Sequence, residues 1–248
     1  MIADAQGLRL TAASDEAAAA YDHVIEGYLG YRLDTADRLK RLLAVDPEMG
    51  LAHILRGYFA MLTFDTAHLP AARAALREAS RNLAALTNRE QAHAAALTHW
   101  LDGRIERALA TWEDILSSHP RDVLAFRLHH FSAFWRGRPE LMLGVVERAL
   151  PHWSTTTPGY GAVLACRAFA HEECGDYGLA EAAGREAVAL DPENIWAAHA
   201  VAHVLEMRGR AADGMRFLGE LEPHWEHNNN LKHHLWWHRA LFHLERRD

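Results

Sequence analysis

The chain has 248 residues, of which 50% are hydrophobic and 24% charged, as in an ordinary folded protein. Its net charge of -7 argues against general affinity for nucleic acid. No apolar run is as long as a membrane span, and the first four residues lack the basic start of a secretory leader. The two cysteines, Cys166 and Cys174, are expected on one helix as reduced thiols, which predicts a cytoplasmic protein. The charge and the lack of a long apolar run predict that it binds neither nucleic acid nor membrane.

The spacing of apolar residues predicts helices along the whole chain. The expected helices are 17–29, 35–45, 51–64, 71–86, 91–101, 105–118, 121–136, 140–150, 162–174, 178–190, 195–208, 211–221 and 231–245. Thr87 and Glu90 have the spacing of a capping box before the fifth of them. Since no segment alternates like a strand, the chain is predicted to be all-α.

Internal repetition is visible at an interval of about 72 residues. Asp46-Pro47, His119-Pro120 and Asp191-Pro192 are spaced 73 and 72 residues apart. Pro151-His152-Trp153 returns as Pro223-His224-Trp225 in the same register. Matches at one offset indicate a helical repeat array, in which each repeat packs on its neighbours.

The clearest repeat unit follows the turn at residues 175–177. Gly175 favours the left-handed backbone that ends a helix. Ala180, Gly184 and Ala187 then form a stripe of small residues, which lets a neighbouring helix approach closely. This unit resembles the tetratricopeptide repeat family. The resemblance implies a right-handed superhelical array of antiparallel helix pairs, an α-solenoid of about six pairs in one domain over residues 1–248.

The helix at 231–245 has no expected partner. It is either a capping helix, or a surface covered by another chain in a homo-oligomer, or a sign that the natural chain continues. The stretches 196–210 and 234–245 are similar to the tetratricopeptide repeat protein 38 group. That group is generally longer than this chain, which favours a fragment. It has no settled activity, but the likeness implies that five residues belong to a group signature: His199, His203, Glu206, His234 and His238.

The family resemblance also implies that the first helix of each pair lines a concave groove. The candidate groove residues are Arg127, Phe131, Trp135, Glu172, Glu173, Trp196, His199, His203, Glu206, His234, Trp237 and His238. Among them, His199, His203 and Glu206 share one helix face, since they stand at i, i+4 and i+7. Two imidazoles and a carboxylate in that pattern suit either a divalent metal such as zinc or an acid/base pair. The zinc-protease motif is excluded, because Ala200 follows His199.

Two functions are consistent with these residues. The favoured one is a binding or scaffold protein whose groove holds a peptide, protein or small molecule, although Arg127 is the only clear cation for a carboxylate clamp. The alternative is an enzyme or metal-binding protein with a site built from His199, His203, Glu206 and neighbouring helices. For the two histidines, simple packing between helices is as good an explanation as either function.

Overall fold

The structure is a computed structural model, and it describes residues 2–247. These residues form thirteen α-helices with short 3-10 turns and, apart from two isolated β-bridges, no extended pairing. The helices are α1 (Asp15–Leu29), α2 (Thr35–Val45), α3 (Gly50–Met61), α4 (Leu69–Ser80), α5 (Asn88–Leu101), α6 (Ile105–Ser118), α7 (Val123–Trp135), α8 (Pro139–Ala149), α9 (Tyr160–Glu173), α10 (Tyr177–Leu190), α11 (Ile195–Met207), α12 (Ala211–Leu221) and α13 (Leu231–Arg246). Within the described range, none of them has the length and apolar character that crossing a membrane requires.

The all-α prediction is confirmed, and each expected helix is present with small shifts at its ends. The largest shift is in α4, which ends at Ser80 rather than at residue 86. Asn82 leaves the helical conformation there, and its side-chain amide donates to Glu48 at 3.2 Å. The predicted capping box is also present, since Glu90 accepts from the Thr87 amide at 2.8 Å and the Thr87 hydroxyl accepts from the Glu90 amide at 3.3 Å.

The chain divides into two compact units. The first unit comprises residues 1–25 and 34–136, and the second comprises residues 26–33 and 137–248. In each unit helices pack on their neighbours in the chain: α3 on α4 and α5 on α6 in the first, α9 on α10 and α11 on α12 in the second. This packing is compatible with a helical repeat. The superhelix, and a single domain over the whole chain, stay predictions.

The repeat turn in the second unit has the geometry that its residues predict. Gly175 has a φ of +83°, in the left-handed region that glycine adopts without strain. On α10, Ala180, Gly184 and Ala187 are buried. A Cβ atom on Gly184 would lie only 2.5 Å from the side chain of Val201, so α10 and α11 approach as closely as the small residues allow.

The last helix, α13, is packed on one face. Leu235, His238 and Phe242 are buried, while Trp237 is 52% exposed. Phe242 lies against Gly214 of α12, where an added Cβ atom would come within 2.3 Å of the ring. That contact fixes the rotation of α13, so one row of its side chains is directed toward α11.

A short segment from early in the chain, residues 26–33, completes the second unit. The Asn228 side chain donates to the Gly30 carbonyl at 2.8 Å, and the Asn229 amide donates to the Tyr31 carbonyl at 2.7 Å. Tyr31 has a φ of +54°, which is uncommon for a residue with a side chain. Its ring stacks on Trp196 of α11 with centroids 5.8 Å apart. The segment therefore supports α11 through an aromatic contact.

The first unit contains a buried ion network, which consists of Asp4, Tyr58, Arg89, His93 and Asp122. Asp122 accepts from Arg89 at 2.8 Å and lies 3.1 Å from Nε2 of His93. Arg89 also reaches Asp4 at 3.4 Å. The Tyr58 hydroxyl donates to the backbone carbonyl of His93 at 2.7 Å. These contacts pair opposite charges, which is the condition under which charges are tolerated in a protein interior.

Candidate metal centre

Four histidines of the second unit meet between α11 and α13. We call His199, His203, His234 and His238 the histidine cluster. Each contributes one ring nitrogen to a group in which all four nitrogens lie within 4.8 Å of one another. Each helix supplies a pair at i and i+4, which places two imidazoles on one helix face.

The rings of each pair face each other through the same kind of nitrogen. Nε2 of His199 lies 2.9 Å from Nε2 of His203, and Nε2 of His234 lies 3.2 Å from Nε2 of His238. A neutral imidazole has one N–H donor and one lone pair, so each pair can share at most one hydrogen atom. One ring of each pair can therefore donate to the other, and a metal ion that displaced these two shared hydrogens would meet four nitrogen lone pairs.

Carboxylates lie behind two of the rings. Nδ1 of His238 is 2.7 Å from Oε2 of Glu206, a distance at which Nδ1 donates its hydrogen to the carboxylate. Nδ1 of His203 is 3.7 Å from Oε2 of Glu172 on α9. A donor bond at Nδ1 leaves the lone pair of the ring on Nε2, which is the nitrogen that faces the cluster.

Aromatic rings hold the histidines in place. Trp196 stacks on His199 with centroids 4.9 Å apart and planes 28° apart. Phe169 of α9 contacts His199 at 5.5 Å between centroids. Trp237 stacks on His234 at 5.3 Å with planes only 15° apart. These contacts restrict the ring rotations that would disperse the four nitrogens.

Burial favours the neutral form of two of the histidines, His234 and His238. His199 is 4% and His238 1% exposed. Desolvation, together with charge repulsion from the neighbouring His203 and His234, lowers the pKa of His238 to about 3. Desolvation also lowers the pKa of His234, with His203 as the second cause. Neutral imidazole is the form in which histidine binds a metal ion.

The twelve predicted groove residues are divided between the units. Nine lie in the second unit, in or beside the histidine cluster: Glu172, Glu173, Trp196, His199, His203, Glu206, His234, Trp237 and His238. Arg127, Phe131 and Trp135 lie in the first unit on α7, where Phe64 contacts Trp135 with ring centroids 5.5 Å apart. Arg127 is buried above the Phe131 ring, 5.7 Å from its centroid, so it is not free to clamp a peptide.

The geometry differs from the predicted metal ligands in one respect. His199 and His203 are in the cluster, but Glu206 stands behind His238 rather than among the converging nitrogens. His234 and His238 complete the set instead. Glu173, predicted as a site residue, is largely exposed and lies beside the buried Glu172. Partial desolvation and the negative charge of Glu172 raise the pKa of Glu173.

Two supporting residues are missing from the sequence prediction. Phe169 contacts two of the histidines, and Tyr31 supports Trp196 from a part of the chain far away in sequence. Phe169 lies on α9, the first helix of the preceding pair, at a position that helical spacing assigns to the core. For Tyr31 the sequence carries no local signal, because its contact depends on the packing of the early segment.

No known protein-family model matches the chain. The arrangement of side chains is therefore the basis for an interpretation of function.

Proposed function

We propose that this protein binds one divalent transition-metal ion at the histidine cluster, with His199, His203, His234 and His238 as its ligands. The observation that carries the proposal is the convergence of four ring nitrogens within 4.8 Å. The helical array serves as the rigid scaffold that holds two helices at the required distance.

The spacing of the nitrogens fits metal–nitrogen bond lengths. Histidine nitrogens bind zinc at about 2.0–2.1 Å. Two such nitrogens on one ion are therefore about 3.0 Å apart at a right angle and about 3.4 Å apart in a tetrahedron. The separations of 2.9 and 3.2 Å within the two pairs are close to this range, so the two histidines of each helix can bind one ion together.

The carboxylates fit the same function. A metal-binding histidine usually donates its other N–H to a carboxylate or carbonyl, which orients the ring and increases its basicity. Glu206 has that relation to His238, and Glu172 approaches it with His203. Two carboxylates near four neutral imidazoles also balance the charge of a dication, which supports a divalent ion.

The donor set narrows the choice of metal. Imidazole nitrogens suit zinc, copper, nickel and iron, whereas magnesium and calcium prefer oxygen ligands. The expected groove for a peptide, protein or small molecule has no comparable support, and it stays a prediction, as do a homo-oligomer and a cytoplasmic location. Whether the bound metal is catalytic depends on its free coordination positions.

The test is metal stoichiometry in untagged protein. We expect one equivalent of zinc, copper, nickel or iron by elemental analysis after reconstitution and dialysis. The variant His203→Gln/His234→Gln should lose it. These two ligands are the less buried pair, so their replacement disturbs the packing least.

The matched control is His233→Gln/His243→Gln, which replaces two exposed histidines of α13. The chain has 18 histidines, so adventitious binding must be distinguished from the site. The control should keep one equivalent. Equal binding by both double variants, or no retained metal in the reconstituted wild type, would refute the proposed site.

A further inference from the structure

The histidine cluster is open on one side. His199 and His238 are almost fully buried, whereas the side chain of His203 is 28% exposed and His234 is half-buried. A purely structural metal site is usually closed by four protein ligands, while a reactive site keeps a position for water or substrate. The uneven burial directs one side of the site toward solvent.

The ring positions locate the opening. The centroids of His203 and His234 are 6.3 Å apart, the widest separation in the cluster. The other five pairs are 4.4 to 5.5 Å apart. The two less buried rings are thus the two that are farthest apart, which makes the space between them the most accessible side of the cluster.

The angles within each pair leave room for a fifth ligand. With bonds of about 2.1 Å, nitrogens 2.9 and 3.2 Å apart subtend about 90° and 100° at one ion. Both angles are below the tetrahedral value of about 109°, so the four nitrogens do not surround the ion evenly. An ion bound in this way would keep space for a further ligand, and the less buried rings of His203 and His234 are on the accessible side.

The rim of this gap has a distinct chemistry. Trp237, 52% exposed, stacks on the His234 ring with an offset, since the planes are 15° and the centroids 5.3 Å apart, so the indole offers a flat aromatic surface beside that ring. The charged groups that act on Glu206 and Glu173 are carboxylates and His203, with no lysine or arginine among them. Carboxylates close to the cluster repel small anions, and an exposed indole face favours planar rings.

We propose that the metal keeps an exchangeable position between His203 and His234, and that this position accepts a small uncharged nitrogen donor with a planar ring, which stacks on Trp237. The proposal rests on the proposed metal function. It assigns to the site a class of ligand, the neutral nitrogen heterocycles, in preference to anions such as azide.

The experiment uses the full chain loaded with Co²⁺, whose visible absorption reports its coordination. Imidazole and azide are titrated separately, and retained cobalt is measured after each titration. We expect saturable changes in the bands with imidazole at full cobalt retention, and weaker binding of azide. Trp237→Ala should weaken imidazole binding by roughly two- to tenfold, the range of one aromatic contact.

Two controls make the result specific. Trp236→Ala removes the adjacent indole, which contacts His233 rather than the cluster, and should leave imidazole binding unchanged. Glu173→Gln/Glu245→Gln removes two carboxylate charges that act on Glu172 and Glu206. It should strengthen azide binding and leave imidazole binding unchanged.

The outcomes separate the two proposals. If no cobalt binds at one equivalent, the metal function itself fails and this inference with it. If cobalt binds but its bands ignore both ligands, or change only as cobalt leaves, the site is closed and this inference alone is overturned. Equal effects of Trp236→Ala and Trp237→Ala would overturn the assigned contact.

Discussion

Each unit of the molecule buries a cluster of histidine and carboxylate side chains, but the two clusters are organised in opposite ways. In the ion network of the first unit, donors face acceptors: His93 and Arg89 both contact Asp122. In the histidine cluster, similar nitrogens face each other, and the carboxylate Glu206 stands outside the group. The first arrangement pairs opposite charges, whereas the second brings four uncharged donor–acceptor nitrogens of one kind together, which is a set that a metal ion can use.

The difference separates a structural role from a binding role. A buried polar group without a partner is costly, so a network that pairs all its charges stabilises one packing. Facing imidazole nitrogens can share one hydrogen per pair, and the same nitrogens offer lone pairs to a cation that displaces those hydrogens. Burial and residue type alone do not reveal this difference, because both clusters contain nearly inaccessible histidines, such as His93 and His238.

The largest expected effect follows from breaking the ion network. Asp122→Ala leaves the Arg89 guanidinium, whose side chain is 4% exposed, without its nearest carboxylate. It also removes the acceptor of the α7 N-terminal amide of Ala125. Loss of one partner of a buried pair costs about 3–5 kcal/mol, which urea unfolding should detect as a lower free energy of unfolding.

The control for that variant is Asp102→Ala. Asp102 pairs with Arg104 at 2.6 Å, but both side chains are well exposed to solvent. Exposed ion pairs contribute about 0–1 kcal/mol, so this variant should unfold close to the wild type. Comparable losses in both variants would show that the buried network has no special role in stability.

The next largest effect is the stabilisation that bound metal gives to the histidine cluster and not to the ion network. At a free metal concentration of 100 times Kd, binding stabilises the native state by about 2.7 kcal/mol. We expect slower amide hydrogen exchange in α11 and α13, because the metal links these helices directly. Helix α5, which carries Arg89 and His93, should not respond in the same way.

That contrast has its own control. In His203→Gln/His234→Gln the metal should no longer slow exchange in α11 or α13, while Asp122→Ala should keep the response. Protection spread evenly over all thirteen helices would contradict a local link between two of them.

A pH-dependent effect of intermediate size is expected at Asp4. Burial raises the pKa of Asp4 from 3.8 to about 6, although Arg89 partly opposes the shift. The native state then binds the proton more tightly than the unfolded state between these values. The contribution of Asp4 to the free energy of unfolding is therefore fully present below pH 3.8, and it is lost as the pH rises through about 6.

Replacement of Asp4 by asparagine removes that loss. Asp4→Asn should be more stable than the wild type at pH 7.5 by on the order of 2 kcal/mol, and the difference should vanish near pH 4. Urea unfolding across this range measures it. Asp114→Asn, which changes an exposed carboxylate of α6, should show no such trend. A variant that is less stable than wild type at pH 7.5 would show that the carboxylate charge is favourable.

Local signals explain why so much of the fold was predictable. Turn residues such as Gly175 and the capping box at Thr87 act within a few residues of chain, so the sequence alone indicates where helices begin and end. The attachment of residues 26–33 to the second unit is different. It depends on contacts such as Asn228 with Gly30, 198 residues apart, for which no local pattern exists.

The site was predictable in part for the same reason. The i, i+4 spacing identified His199 and His203 as neighbours on α11. The sequence could not show that the histidines of α13 meet those of α11, nor that Glu206 stands behind a ligand rather than among the ligands. Both depend on the rotation of α13, which the contact of Phe242 with Gly214 determines.

The smallest predicted effect tests the carboxylate outside the histidine cluster. Glu206→Gln keeps the shape of the side chain and an oxygen acceptor for Nδ1 of His238, but removes the negative charge. Loss of such a supporting group typically lowers metal affinity by about 10–100-fold. Because Glu206 is 27% exposed, water screens its charge, and we expect the lower limit, roughly 1.4 kcal/mol, in a competition titration with a chelator.

A matched control separates the effect of the hydrogen bond between Glu206 and His238 from the effect of nearby negative charge in general. Glu245 acts on Glu206 only through its charge, so Glu245→Gln should change metal affinity less than twofold. If the two variants weaken binding equally, the carboxylates act as a diffuse negative field. If Glu206→Gln alone weakens metal binding, the hydrogen bond to Nδ1 orients His238. Glu206 then fixes the position of a histidine ring, as Asp122 does for His93 in the ion network.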